Sequence, residues 1–184
     1  MSFAAFFDTN VLYGAYLTDF ILRLAERGAF RPLWSEGVLE ELQRNLIVHH
    51  DESAINYRIQ TMRDHFPDAM VRGYEPLISG MTNDKKDRHV LAAAVRANAE
   101  VLVTFNTKDF PDSSVVLCEI EIVEPDGFLL DQLDLFPGLI MGTLRDWAED
   151  CTSPALSETD LLQALAKSGP PKFAIEVLQR HIER

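Results

Sequence analysis

Short apolar runs alternate with amphipathic stretches as far as about residue 124, and this alternation limits the folds open to the chain. The first run, residues 3–7, ends at Asp8, and a stretch predicted as a helix over residues 10–27 follows directly. Residues 100–104 are almost continuously apolar, as in a strand buried on both faces. The pattern predicts a three-layer α/β/α fold around a central, mainly parallel sheet with right-handed crossovers.

The remainder of the chain carries helical signals only. Ser157 and Asp160 have the spacing of a capping box before a leucine-rich helix, and Gly169 begins a break before a last amphipathic helix. These helices are too few to hold a core alone, so we expect them to dock on the sheet domain or on a partner chain. The sequence therefore predicts two domains, an α/β domain at residues 1–124 and a helical extension at residues 125–184.

The charge of the chain restricts its partners. It has 184 residues, of which 29 are acidic and 17 are Lys or Arg, with a formal net charge of -12. Such a field repels nucleic acids and anionic membranes, so a nucleic-acid role requires a local basic rim, a bound metal or a basic partner. The N-terminus has no signal-peptide pattern and no apolar stretch has spanning length, so we expect a cytoplasmic protein without membrane contact.

Four acids occur where an α/β fold places its sites. Asp8 ends the first predicted strand, and Asp109 follows the strand at residues 100–104. Asp87 lies in the first turn of a helix predicted over residues 85–97. Glu41 lies at the margin of the apolar stripe of a helix that Ser35 caps and that runs to about residue 48, whereas Glu40 lies nearer the solvent side. If these acids converge, they form a divalent-cation site, because like charges need a counter-ion.

Each acid also has an ordinary structural explanation. Asp8 is a suitable N-cap, and a lone glutamate on a helix, such as Glu41, is usually solvated. Asp84 as an N-cap with Asp87 three residues later forms a capping-box-like pair. Asp109 suits a turn before a proline. Taken singly these explanations are preferable, but the recurrence of acids at strand ends and helix starts favours a common site.

Four segments together resemble PIN-domain ribonucleases, of the kind found in VapC-type toxins of bacterial toxin–antitoxin pairs. They occur in the family's order and span about residues 3–123. The segment at residues 102–111 also resembles a subgroup of VapC-type proteins that carries a helical C-terminal extension. The segments are Phe7-Asp8-Thr9-Asn10-Val11-Leu12, Ser35-x-x-Val38-Leu39-x-Glu41-Leu42, Asp84-x-x-Asp87-x-x-Val90-Leu91-Ala92-Ala93-Ala94 and Leu102-Val103-Thr104-Phe105-Asn106-x-Lys108-Asp109-Phe110-Pro111.

The resemblance implies hydrolysis of RNA phosphodiesters with Mg²⁺ or Mn²⁺. It assigns Asp8, Glu41 and Asp87 as metal ligands and catalytic acids. The family's fourth acid is replaced by Asn106, an oxygen ligand without charge, and Asp109 is the candidate substitute. Hydrogen bonds to the ligands or to the phosphate, and a basic rim that attracts RNA, are expected from seven further residues. These are Thr9, Asn10, Thr104, Lys85, Lys86, Arg88 and Lys108.

Other functions stay open at this point. A degenerate PIN module that binds RNA or protein without cutting is favoured by Asn106, and a metal-dependent phosphohydrolase of small phosphate esters is compatible with Asp8 at a strand end. The toxin interpretation implies a cognate antitoxin that covers the acidic pocket, and a homodimer through the C-terminal helices is also open. The five histidines form no evident site, and His89 is expected on a different helix face from Asp87.

Overall fold

A computed structural model describes the backbone of residues 3–182 and the side chains as far as residue 180. The chain forms two compact units. The first contains the residues up to Tyr13 and Phe30–Val123, and the second contains Gly14–Ala29 and the residues from Glu124 onward. The expected domain boundary near residue 124 stays a prediction, and the second unit also includes an N-terminal segment.

The first unit is built on a five-stranded sheet in the order β3-β2-β1-β4-β5, with every neighbouring pair parallel. The predicted α/β fold with a parallel sheet is confirmed. The strand order reverses between β1 and β4, and ligands bind at such switch points, beyond the carboxyl ends of the strands. The strands are β1 (Ala4–Phe7), β2 (Arg31–Ser35), β3 (Met70–Val71), β4 (Val101–Val103) and β5 (Glu121–Val123).

Helices precede or follow each strand of the sheet, and five of them make up most of the second unit. Short 3₁₀ turns occur at Pro67–Ala69, Glu75–Gly80 and Thr107–Asp109. Within the described part of the chain, every helix is too short or too polar to cross a lipid bilayer. The α-helices are α1 (Thr9–Leu12), α2 (Ala15–Glu26), α3 (Glu36–Ile47), α4 (Glu52–His65), α5 (Arg88–Arg96), α6 (Asp112–Val115), α7 (Pro125–Leu135), α8 (Pro137–Asp150), α9 (Glu158–Ser168) and α10 (Pro171–Ile182).

Two helix boundaries differ from the prediction. The helix expected over residues 10–27 is divided into α1 and α2, because Gly14 is extended at the start of α2. The helix expected to start at Lys85 starts at Arg88, and Asp87 rather than Asp84 holds the N-cap position. Asp84 instead makes a local turn, in which its Oδ1 accepts a hydrogen bond from the backbone N–H of Lys86 at 3.0 Å. The predicted capping pair of Asp84 and Asp87 is therefore wrong.

The second unit has an aromatic core that joins α2 to the C-terminal helices. Phe20 stacks on Trp147 with ring centroids 5.7 Å apart, and Phe173 lies at the same distance from Phe20. The predicted capping box of Ser157 and Asp160 is present at the start of α9. The tail thus buries its apolar faces in a core to which α2 contributes.

Candidate metal centre

Asp8 lies where β1 ends and α1 begins, and it is only 3% exposed. Its Oδ1 accepts the backbone N–H of Thr9 at 2.7 Å. Its Oδ2 accepts the hydroxyl of Thr104 and the side-chain amide of Asn10, each at 2.7 Å. A carboxylate has about four lone-pair sites, so these three hydrogen bonds leave about one for another ligand. Asp8 is therefore an N-cap that also has an oxygen lone pair available.

Asn10 and Thr104 fix the orientation of the Asp8 carboxylate. Asn10 Oδ1 accepts the backbone N–H of Phe105 at 3.1 Å, which orients the amide so that its nitrogen faces Asp8. Thr104 Oγ1 accepts from Asn10 Nδ2 at 3.1 Å and from the backbone N–H of Asn106 at 3.0 Å. Because both of these groups are donors, the hydroxyl proton is directed to Asp8. The ends of β1 and β4 are thereby joined through side chains.

Glu41 reaches the same region from α3. Thr9 Oγ1 donates to Glu41 Oε2 at 2.9 Å, with the carbonyl oxygen of Val38 as a more distant acceptor at 3.4 Å. Glu41 is half-buried and Glu40 is exposed, as expected from their positions on the helix. Thr9 follows Asp8 directly. The same dipeptide therefore supplies the carboxylate of Asp8 and contacts the carboxylate of Glu41.

Electrostatic coupling connects these acids to Asp87. The pKa of Asp87 is raised to about 6, first by burial and then by repulsion from Asp8, Asp109, Asp84 and Glu41. The pKa of Asp8 is raised chiefly by burial, with a contribution from the charge of Glu41 and with opposing hydrogen bonds from Thr104, Thr9 and Asn10. Like charges disfavour ionisation only at close range, so these acids share one region of the fold. Asp87 makes no helix-capping hydrogen bond with its side chain.

Asp109 and Asn106 occupy different environments. Asp109 is half-buried at the end of a 3₁₀ turn, and its charge acts on Asp87. Asn106 is exposed, and its backbone N–H is hydrogen bonded to Thr104. Asp84 was not among the predicted site residues, yet its charge also raises the pKa of Asp87. Its backbone N–H donates to the carbonyl oxygen of Asp109 at 3.1 Å, which brings the two acid-bearing loops together.

The donors fit a hard cation that keeps part of its water shell. Among the described residues, no group of three or more His, Cys, Asp or Glu side chains is positioned to hold a metal ion. Mg²⁺ is usually bound through one or two carboxylates plus water and substrate phosphate, so a closed protein cage is not required. Burial, and then repulsion from neighbouring acids, raises the pKa of Asp8 and of Asp87, so a bound cation would stabilise their ionised forms.

The predicted basic residues lie beside the acids in the chain. Lys85, Lys86 and Lys108 are exposed, as suits groups that attract a polyanion from solution. Arg88 is half-buried, and its Nε donates to the backbone carbonyl of Asn83 at 3.3 Å. The guanidinium is therefore anchored to the loop that carries Asp84.

His89 lies beside Glu41, a contact that the sequence did not indicate. Its Nε2 lies 3.7 Å from Glu41 Oε2, although His89 was expected on a different face from Asp87. That expectation compared positions on one helix, whereas Glu41 belongs to the neighbouring α3. The absence of a side chain at Gly37 is consistent with this placement, because a Cβ there would lie 3.4 Å from His89 Nδ1.

Comparison with known families agrees with this fold. Residues 4–108 match the PIN domain family, and residues 125–179 match a family described as the VapC50 C-terminal domain. The chain belongs to the PIN-domain family, and its C-terminal helices match this second family. The predicted resemblance is confirmed.

A relative of known sequence matches part of the chain. "Putative ribonuclease VapC50" of Mycobacterium tuberculosis is 44% identical over 106 residues, which are 58% of this chain and 62% of that protein. The alignment thus spans less than two thirds of the relative.

Two solved structures show a weaker likeness. A chain of VapBC-1 from nontypeable Haemophilus influenzae has a TM-score of 0.45 at 18% identity, with 66% of this chain and 98% of that chain covered. A chain of FitAB bound to an IR36 DNA fragment has a TM-score of 0.45 at 13% identity, with 66% and 94% covered. Neither likeness is strong enough to support a conclusion.

Proposed function

We propose that this protein is a Mg²⁺- or Mn²⁺-dependent endoribonuclease and the toxin of a toxin–antitoxin pair. The observation that carries the proposal is the coupling of Asp8, Glu41 and Asp87 beside the switch point of a parallel sheet. Burial, followed by repulsion from Asp8, Asp109, Asp84 and Glu41, raises the pKa of Asp87 to about 6. An acid that only caps a helix gains nothing from other acids close by. Acids that bind a cation do benefit from clustering, because the cation offsets their mutual repulsion.

The side chains divide the work of binding and orientation. Asp8 offers its remaining lone pair, Glu41 offers the oxygen that Thr9 does not contact, and Asp87 supplies a third carboxylate. Asp109 is a further ligand or a positioning acid, and Asn106 offers a neutral oxygen. When bound, a divalent cation lowers the pKa of a coordinated water and neutralises charge that develops on the phosphate. A carboxylate of the cluster orients the attacking water.

The basic rim allows an acidic protein to bind RNA. Lys85, Lys86 and Lys108 are exposed beside the acids, and Arg88 is anchored near them. Lysine and arginine contacts to phosphate provide affinity without sequence selection. The RNA is therefore held by its backbone, with a scissile phosphodiester directed to the acids.

A matched pair of variants tests the activity. The purified chain is incubated with a single-stranded RNA oligonucleotide in Mg²⁺, in Mn²⁺ and in EDTA. We expect cleavage with either cation and none in EDTA. Asp87→Asn abolishes the cleavage, whereas Asp68→Asn, at an exposed position, leaves it unchanged. Cleavage by Asp87→Asn at the wild-type rate contradicts the assignment.

A non-cutting PIN module is the second candidate, because no three acids are already placed to hold an ion among the described residues. A Mn²⁺ titration followed by calorimetry separates the two candidates. Heat from binding that is lost in Asp87→Asn favours the nuclease, and RNA binding without either heat or cleavage favours the module. Hydrolysis of a phosphate monoester but not of RNA identifies a different phosphohydrolase.

The partner follows from the charge of the site. An antitoxin that places a basic side chain among the acids relieves their repulsion in the same way as a cation. The toxin proposal predicts growth arrest on expression of the wild-type chain, and no arrest with Asp87→Asn. Normal growth with a well-expressed wild-type protein that cleaves RNA contradicts the toxin role but not the nuclease activity.

A further inference from the structure

Gly37 is an unusual choice for the second residue of α3. Glycine in a helix costs about 1 kcal/mol relative to alanine, so its presence requires a packing reason. A Cβ at this position would lie 2.8 Å from Tyr74 Oη and 3.4 Å from His89 Nδ1. Both side chains end in rigid rings, so neither can swing aside as a flexible chain can. The missing side chain of Gly37 therefore provides the space in which the two rings approach α3.

The ring of His89 is placed with its two nitrogens in different environments. Nδ1 is buried and has no hydrogen-bond partner among the described residues. Nε2 lies 3.7 Å from Glu41 Oε2, which is longer than a hydrogen bond but within reach of an electrostatic contact. A proton on Nε2 faces a carboxylate, whereas a proton on Nδ1 is a buried donor without an acceptor. The neutral ring is therefore assigned the Nε2–H tautomer.

We propose that His89 is a positioning residue for Glu41 and that its ring occupies the space left by the missing side chain of Gly37. Thr9 Oγ1 also contacts Glu41 Oε2, at 2.9 Å. Both contacts are made to the same oxygen, Oε2, and in this proposal the second oxygen, Oε1, is the one that binds the cation. Side chains that contact a metal ligand from outside the coordination sphere fix its orientation, and their loss commonly weakens binding about 10- to 100-fold. This inference rests on the proposed function, because it concerns the cation site of that function.

Two conservative variants of His89 separate positioning from packing. Glutamine places its side-chain nitrogen near the position of histidine Nε2, whereas asparagine places it near Nδ1. We expect His89→Gln to bind Mn²⁺ within about threefold of wild type, and His89→Asn to bind about tenfold more weakly or worse. His50→Asn, at an exposed position, is the control. The readout is the Mn²⁺ dissociation constant of the full chain by calorimetry, with RNA cleavage measured in parallel.

Gly37→Ala tests whether the space beside the His89 ring is needed, without changing His89 itself. We expect about tenfold weaker Mn²⁺ binding, although alanine favours the helix. This variant also keeps the inference testable if His89→Asn does not fold. Wild-type Mn²⁺ affinity in His89→Asn or in Gly37→Ala overturns the inference, as does equal weakening in His89→Gln and His89→Asn. Wild-type protein that binds Mn²⁺ no better than Asp87→Asn overturns the proposed function itself, and the inference with it.

Discussion

Asp8 and Asp126 are buried aspartates in different units of the molecule, and they have different surroundings. Asp126 is 8% exposed, and its two oxygens accept the backbone N–H groups of Phe173 at 2.7 Å and Lys172 at 3.2 Å. These donors belong to the first turn of α10, where N–H groups lack helical partners and the helix dipole is positive. Asp126 therefore completes a helix end within the helical unit.

Asp8 also caps a helix, but its charge is not balanced in the same way. Its second oxygen is held by the side chains of Asn10 and Thr104, and its carboxylate repels Glu41 and Asp87. Burial alone therefore does not distinguish an acid of a functional site from an acid of the framework. The two kinds of acid differ in whether neighbouring groups neutralise the carboxylate charge or add to it. Only where neighbouring groups add negative charge does a cation relieve the repulsion.

The largest expected difference between the two regions is in activity. Asp8→Asn keeps the shape of the side chain and removes the charge of a proposed metal ligand, so we expect RNA cleavage to fall at least about 100-fold. Asp126→Asn keeps cleavage but leaves one buried N–H group of α10 without an acceptor, which lowers the free energy of unfolding by about 1–3 kcal/mol. Single-turnover cleavage and urea unfolding measure the two effects. Similar losses of activity in both variants would remove the distinction.

The second expected difference is in pH dependence. The pKa of Asp87 is about 6 in the folded protein and near 3.9 in an unfolded chain. The folded state thus binds more protons between these values, so this group lowers the free energy of unfolding as pH rises from about 4 to about 6. Above about pH 6, a bound cation restores the free energy of unfolding that the ionised Asp87 takes away. Because the cation binds the ionised form, we expect Mg²⁺ affinity to increase at least about tenfold from pH 5 to pH 7.

Thermal unfolding with and without Mg²⁺ at these two pH values checks the expectation. The stabilisation by Mg²⁺ should be large at about pH 7 and small at about pH 5. Asp87→Asn should be more stable than wild type in EDTA at the higher pH, because it removes a repelled charge, and Asp126→Asn should follow the wild-type profile. A stabilisation by Mg²⁺ that does not change with pH contradicts the role of Asp87.

Two buried threonines sharpen the comparison further. Thr104 donates to Asp8, whereas Thr143 in α8 donates to the carbonyl oxygen of Leu139 in its own helix at 2.8 Å. Replacement of Thr104 by valine keeps the volume but removes the donor to Asp8, so we expect about tenfold weaker Mn²⁺ binding. Thr143→Val should leave Mn²⁺ binding unchanged in the same calorimetric titration. Equal Mn²⁺ affinity in the two variants would show that the hydroxyl of Thr104 has no part in the site.

The smallest expected effect concerns the basic rim. Lys85→Ala combined with Lys86→Ala should weaken RNA binding about fivefold at low salt and reduce the slope of log affinity against log salt by up to about 1.4. Lys167→Ala combined with Lys172→Ala removes the same charge from the helical unit and serves as the control. Binding measured by fluorescence anisotropy over a series of salt concentrations separates the pairs. Equal slopes would assign the attraction of RNA to net charge alone.

Local patterns were sufficient for much of the fold and for the position of Glu41 on its helix. The apolar run before Asp8 identified β1, and the helical wheel placed Glu41 rather than Glu40 on the less exposed side of α3. The same kind of information could not fix the start of α5, since Asp84 and Asp87 are equally good N-caps by residue type. A backbone hydrogen bond from Asp84 to Asp109, distant in sequence, accompanies the observed choice.

The sequence by itself determined the alternation of strands and helices, because periodicity and capping act over a few residues. This alternation also indicated the edge of the sheet at which acidic residues follow the strands. The tertiary structure decided that α2 joins the C-terminal helices, that Asp84 adds its charge to Asp87, and that His89 faces Glu41 over Gly37. These outcomes depend on packing and Coulomb interactions between segments distant in sequence. The strength of such interactions is set by distances that only the folded chain defines.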